Sequence, residues 1–131
     1  MQFDDVVLGR RSIRGYKPDP VPKALIKEII AIAMRAPSSL NTQPWNFYVV
    51  AGAPLDRIRA GNTERNLAGV PSSREFRSHG EYAGAHRERQ IEIAKQLFAA
   101  MDIAREDKAK RQDWVLRGFR QFDAPVSVVV T

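Results

Sequence analysis

The sequence has no cysteine, which excludes a disulfide framework, a thiolate metal site and a cysteine nucleophile. Histidine is almost as scarce. His79 and His86 are the only two, too few and too scattered to suggest a zinc site, and both read as loop or charged-surface residues. No apolar run approaches the roughly 18 residues of a membrane span. The opening MQFDDVVLGRR places acids ahead of a very short apolar stretch and lacks a secretory cleavage pattern. Together these absences argue against metal chemistry and make a cytoplasmic protein the expectation, with no membrane partner.

The chain has 131 residues, 44% hydrophobic and 27% charged, the composition of one ordinary globular domain. Lys and Arg number 21 against 15 acids, a formal charge of +6. That excess favours anionic ligands without choosing among phosphates, nucleic acid and membrane surface. Three arginines and one serine are packed into GRRSIRGY, Gly9 to Tyr16. An extended backbone would send Arg10, Ser12 and Arg14 one way and Arg11, Ile13 and Gly15 the other. Two guanidinium forks around a hydroxyl make an anion grip, because the fork matches phosphate oxygens two at a time. Taken alone, the segment is better read as a solvated basic turn, since short Arg/Lys clusters are common on surfaces.

FDDVVLG predicts a short helix, with Asp4 or Asp5 as cap and Gly9 as stop. After the turn residues of KPDPVP, the segment KALIKEIIAIAMRA places Leu25, Ile26, Ile29, Ile30, Ala33 and Met34 at helical spacing. Pro22 suits its first position and Pro37 ends it, so a buried helix is expected here. SSLNTQPW is rich in polar turn formers and reads as a loop. NFYVVA follows as a short buried strand, with Trp45 as an apolar plug at its entrance.

From APLDRIRAG onward the pattern is mainly helical. HRERQIEIAKQLFAAMDIA carries a stripe of Ile91, Ala94, Phe98 and Met101, and KRQDWVLRGFRQF one of Trp114, Val115, Phe119 and Phe122, interrupted by Gly118. Between APLDRIRAG and the first of these helices, GNTERNLAGVPSSREFRSHGEY reads as a mobile surface excursion, in which Ser72 and Glu75 would form a capping box. The closing APVSVVVT is a β-branched run behind a proline, the pattern of a strand buried on both faces. Two visible strands seldom make a stable sheet unaided, so the chain is expected to be a fragment or to need another chain for closure. The acids sit among arginines and lysines as solvated helix faces. No nucleophile, base and acid fall into a pattern, and the sequence assigns no base and acid that would make Ser72 or Ser73 a hydrolytic serine.

GRRSIRGY, a helix, and then APSSLNTQPWNFYVV together resemble the N-terminal half of the nitroreductase family of FMN-dependent oxidoreductases, most clearly from Val6 to Val50. The resemblance implies an α+β fold, a central mixed β-sheet flanked by helices, truncated in this chain, with residues 1–131 forming the N-terminal part of a single domain. It also implies a cofactor-binding role for Arg10, Arg11, Ser12 and Arg14 along FMN. Arg10 and Ser12 would meet the phosphate or ribityl end. Arg14 would lie near the pyrimidine edge of the ring, where positive charge favours the reduced flavin. Arg11 would contribute more through its backbone than its side chain. Pro37, Ser38, Ser39 and Asn41 match the family loop that reaches the flavin from the other subunit of a homodimer, and Gln43 would anchor that loop or touch the ribityl chain.

The activity implied is a two-step one, in which NAD(P)H passes a hydride to FMN and a small electron-poor acceptor, such as a nitroaromatic, quinone or activated alkene, then takes the electrons. No side chain of this sequence stands out as catalytic, as expected where the cofactor carries the redox chemistry. The excursion from about Gly61 to Phe122 would select substrate, and its Arg65, Arg74, Arg77, Arg87 and Arg89 would favour acidic or carboxylated ones. Two other readings remain: a non-catalytic flavin-binding or dimerisation fragment, and a basic nucleic-acid-binding module. The alternation of bases and acids along the helices speaks against the second, so no nucleic-acid partner is expected.

Overall fold

The computed structural model describes residues 2–73 and 80–131. The expected capping box at Ser72 and Glu75, the cations Arg74 and Arg77, and His79 thus fall wholly or partly outside the described residues.

Helix α1, Phe3–Gly9, opens the chain. Its N-cap is Gln2, two residues before Asp4 and three before Asp5: the Gln2 N–H donates to Asp5 Oδ2 at 3.2 Å, so Asp5 serves from inside the first turn. Residues 10–22 then run without regular structure into α2, Lys23–Ala33. The loop that follows contains a short 3-10 turn at Ser39–Asn41 and leads to strand β1, Phe47–Ala51. Gly52, at φ 57° and ψ −145°, turns the strand directly into α3, a backbone shape suited to glycine. Helix α3 spans Ala53–Leu67, α4 Gly84–Ala100 and α5 Lys108–Phe119. A second 3-10 turn, Gln121–Asp123, delivers the chain to strand β2, Val126–Val130.

β1 and β2 pair antiparallel, Phe47 opposite Val130 and Ala51 opposite Val126. The ladder extends one step further, where the Thr131 N–H donates to the Asn46 carbonyl at 3.1 Å. Helix α3 packs against β1, and α2 faces the strands across a cleft, in an α+β arrangement.

Element types agree with the sequence pattern more closely than burial does. Helix α2 exists where its periodicity places it, yet none of its residues is buried. Ile26 and Ile30 are half-buried, facing Val49, Ala51 and Val126 across a cleft of about 670 Å³, while Leu25, Ile29 and Ile32 are exposed. The helix is apolar on more than one side, and this chain presents it with only one surface. The two strands differ from expectation for the same reason: Tyr48, Val49 and Val128 to Val130 are exposed, Val130 by 56%. Trp45 is half-buried, a partial plug. The fully buried side chain among the described residues is Leu55, at 1% exposure in the first turn of α3.

The expected surface excursion begins later than Gly61, because α3 continues through Thr63, Glu64 and Arg65 to Leu67. A single glycine costs a helix interior only about 1 kcal/mol. The α5 stripe is also rotated: Trp114, Leu116 and Arg117 are half-buried, whereas Val115 and Phe119 are exposed. Gly118 is accommodated inside α5.

Candidate functional site

Two segments flank α2, whose length of about 16 Å follows from 11 residues at 1.5 Å each. The first is the arginine segment. Gly9 closes α1, and Arg10 leaves it in an extended conformation, φ −57° and ψ 134°. The four polar residues then separate into two kinds. Arg11 folds back on the helix end, its Nη1 donating to the Leu8 and Arg10 carbonyls at 3.0 Å each. Carbonyls at a helix C-terminus have no partner within the helix and attract a cation, which accounts for this bond. Arg10, Ser12 and Arg14 are exposed and make no side-chain hydrogen bond or ion pair among the described residues. Their donors are available to a ligand.

The second segment, residues 37–43, is built differently. Ser38 is half-buried and its Oγ accepts from the Gln43 N–H at 2.9 Å, closing the loop into a ring. Gln43 Nε2 donates to Asn41 Oδ1 at 3.2 Å, and the Thr42 hydroxyl to the Ser39 carbonyl at 3.0 Å. Leu40, Asn41 and Gln43 all adopt positive φ, at 51°, 54° and 47°. Left-handed backbone is accessible to asparagine through local hydrogen bonds but unfavourable for leucine. The loop holds Leu40 in that state with its side chain 95% exposed. A strained, solvent-facing leucine on a self-bonded loop brings no folding benefit within this chain. Gln43 anchors the loop through both its backbone and its side-chain amide.

No hydrogen bond or ion pair among the described residues joins segment 10–14 to loop 37–43.

A family model described as the nitroreductase family matches residues 7–131. The chain belongs to that family. Nitroreductase relatives include a nitrobenzene nitroreductase from Ectopseudomonas oleovorans, 38% identical over 98% of this chain and 58% of the relative. A 4-nitrobenzoate reductase from Pseudomonas putida is 35% identical, again over 98% of this chain and 56% of its own length. Among solved structures, the FMN-dependent nitroreductase NfnB from Mycobacterium smegmatis, in complex with NADPH, superposes with a TM-score of 0.86 at 29% identity, covering 97% of this chain and 57% of that one. The chain thus spans little more than half the length of these nitroreductases, and over that span the α+β fold is theirs.

Sequence reasoning missed the part of this nitroreductase chain that positions β2. From α3, Arg59 donates through Nε to the Arg120 carbonyl at 3.0 Å, through Nη2 to the Ala124 carbonyl, and through Nη1 to Asp56 at 3.1 Å. Asn62 Nδ2 reaches the Phe119 carbonyl at 3.3 Å. Arg120 in turn bonds Asp113 at 3.2 Å and Asp123 at 3.4 Å. The clamp grips a corner in which Gln121, Phe122 and Asp123 all have positive φ. In sequence, Arg59 is one more base on a polar helix face, and nothing in its neighbours marks the carbonyls it meets more than 60 residues later.

Proposed function

We propose that this chain is the N-terminal part of a single FMN-dependent oxidoreductase domain that uses NAD(P)H to reduce nitroaromatics, quinones or related electron-poor substrates, and that it acts as a homodimer with FMN at the subunit interface. The observation that carries the proposal is the division within the arginine segment. Arg11 is occupied at the end of α1, while Arg10, Ser12 and Arg14 offer unengaged donors on an extended strand of chain. This donor set suits a phosphate and a polyol chain, so the residues present fit the cofactor named for NfnB.

Arg10 and Ser12 would hold the phosphate and ribityl groups, and Arg14 would set a fixed positive charge beside the ring. Bound there, FMN supplies the hydride acceptance and electron delivery that no side chain of the segment can perform. Pro37, Ser38, Ser39, Asn41 and Gln43 would reach the cofactor of the partner subunit. Two observations support that division of labour. The loop's polar groups bond within the loop itself, and it has no bond to segment 10–14 of its own chain among the described residues. Cytoplasmic residence is part of the same proposal; no described helix is long and apolar enough to cross a membrane.

A narrower reading, a flavin-binding or dimerisation fragment without turnover, is favoured by the exposed apolar surfaces of α1, α2 and β2. One experiment separates the readings. FMN is added, excess is removed by desalting, and the retained flavin absorbance and its bleaching by NADPH are recorded. Retention with bleaching supports the oxidoreductase, retention without bleaching supports the flavin-binding fragment, and no retention refutes both of these and leaves only a dimerisation role.

A further inference from the structure

The basic charge outside the arginine segment also has a structural focus. Between α4 and the turn leading into α5 lies a cavity of about 680 Å³, in the size range of small-molecule sites. Four cations line it, Arg87, Lys95, Arg105 and Arg111, and no carboxylate among the described residues does. Two of the nearby acids are engaged elsewhere: Glu92 accepts from Gln96 Nε2 at 2.8 Å, and Asp107 caps α5 through the Lys110 N–H at 2.9 Å, while Arg87 spends one donor, Nη1, on Gln90 Oε1 at 2.7 Å.

The floor is apolar, formed by Ile91, Ala94, Phe98 and Ile103. Spacings of three and four residues put the α4 members on one helix face, and the Ile103 N–H, donating to the Phe98 carbonyl at 2.9 Å, folds the end of the floor over. One flat group already stacks there, the Arg111 guanidinium, 4.7 Å from the Phe98 ring centre. Its Nη1 donates to the Arg105 carbonyl at 3.3 Å, which holds the Arg105 turn beside the stack.

We propose that this groove binds an aryl carboxylate, its ring lying on the apolar floor and the guanidinium stack and its carboxylate held by the forks of Arg105 and Arg87. An aromatic ring continues a cation–π stack where an alkyl chain cannot, and a planar carboxylate matches the guanidinium fork. The proposal is independent of the flavin reading, because it is tested by binding alone.

The probe is 2-naphthoate, titrated into the full chain and followed by calorimetry, with uncharged 2-naphthamide as comparison. The expected result is saturable binding of 2-naphthoate, about tenfold tighter than 2-naphthamide, and weakened about tenfold by the paired exposed-site changes Arg87→Gln and Arg105→Gln. Arg57→Gln, a loss of the same charge from exposed α3 surface, should leave the affinity unchanged. Ile91→Ser should weaken both probes. Equal affinity for the two probes, an equal loss with Arg57→Gln, or no saturable binding would overturn the proposal.

Discussion

Arg10 and Arg11 are adjacent and chemically identical, yet the fold gives them different work. The Arg11 side chain bonds two carbonyls at the end of α1, whereas the Arg10 side chain bonds none of the described residues. Arg11→Ala is therefore expected to leave FMN retention within about twofold of the unaltered chain while slightly lowering the melting temperature, since a capping contact is lost. A loss of flavin equal to that of Arg10→Ala would show that the side chain serves the cofactor after all. This separation was legible in the sequence, because period-two alternation alone turns Arg11 away from Arg10 and Ser12. The strain at Leu40 was not legible: a leucine among turn residues carries no sign of its φ of 51°. Leu40→Gly should raise stability by about 1 kcal/mol by relieving left-handed strain, with no loss of buried area. Chemical denaturation measures it, and a midpoint that falls would mean that the leucine is covered in the folded protein.

At the scale of elements, the clamp ties α3 to the corner before β2. Arg59 is largely buried, with 18% of its side chain exposed, and its three donors meet two carbonyls and a carboxylate. Arg59→Ala is expected to destabilise the fold by about 2–3 kcal/mol, the range for loss of hydrogen bonds from a charged group. Arg59→Lys should recover only part of this, because an ammonium cannot reproduce the fork. Full recovery by lysine would mean that charge alone matters. Helix α2, by contrast, was legible from Leu25 to Met34 in position but not in burial. Periodicity reports which residues seek apolar neighbours and is silent on whether the same chain provides them. The extension of α3 through Gly61 was hidden because the glycine and the asparagines around it look like a loop until Arg59 and Asn62 are seen to need a helix to reach their carbonyls.

For the whole molecule, the exposed apolar side chains lie on several elements: Phe3 and Leu8 in α1, Ile29 and Ile32 in α2, and Val128 to Val130 in β2. Single exposed apolar residues are ordinary, but such surfaces on several elements mark sites of association, and a two-stranded sheet gains stability from further cover. The chain is expected to elute in size-exclusion chromatography as an assembly larger than its 14.8 kDa monomer, with the larger species favoured at higher concentration. A monodisperse monomer would argue against the proposed dimer. The α+β class and the nitroreductase family were both within reach of the sequence, because the arginine segment, helix and SSLNTQPW loop occur in order. The clamp that ties α3 to the corner before β2 was not, since its partners lie far apart in the chain.

The central claim is that Arg10, Ser12 and Arg14 are arranged to hold FMN. Its most direct measurement is the absorbance spectrum of the purified protein after FMN addition and desalting, for the unaltered chain and for Arg10→Ala and Ser12→Ala. Retained flavin absorbance that either substitution removes is the expected result. Flavin retained equally by all three would contradict the claim, as would a colourless unaltered chain.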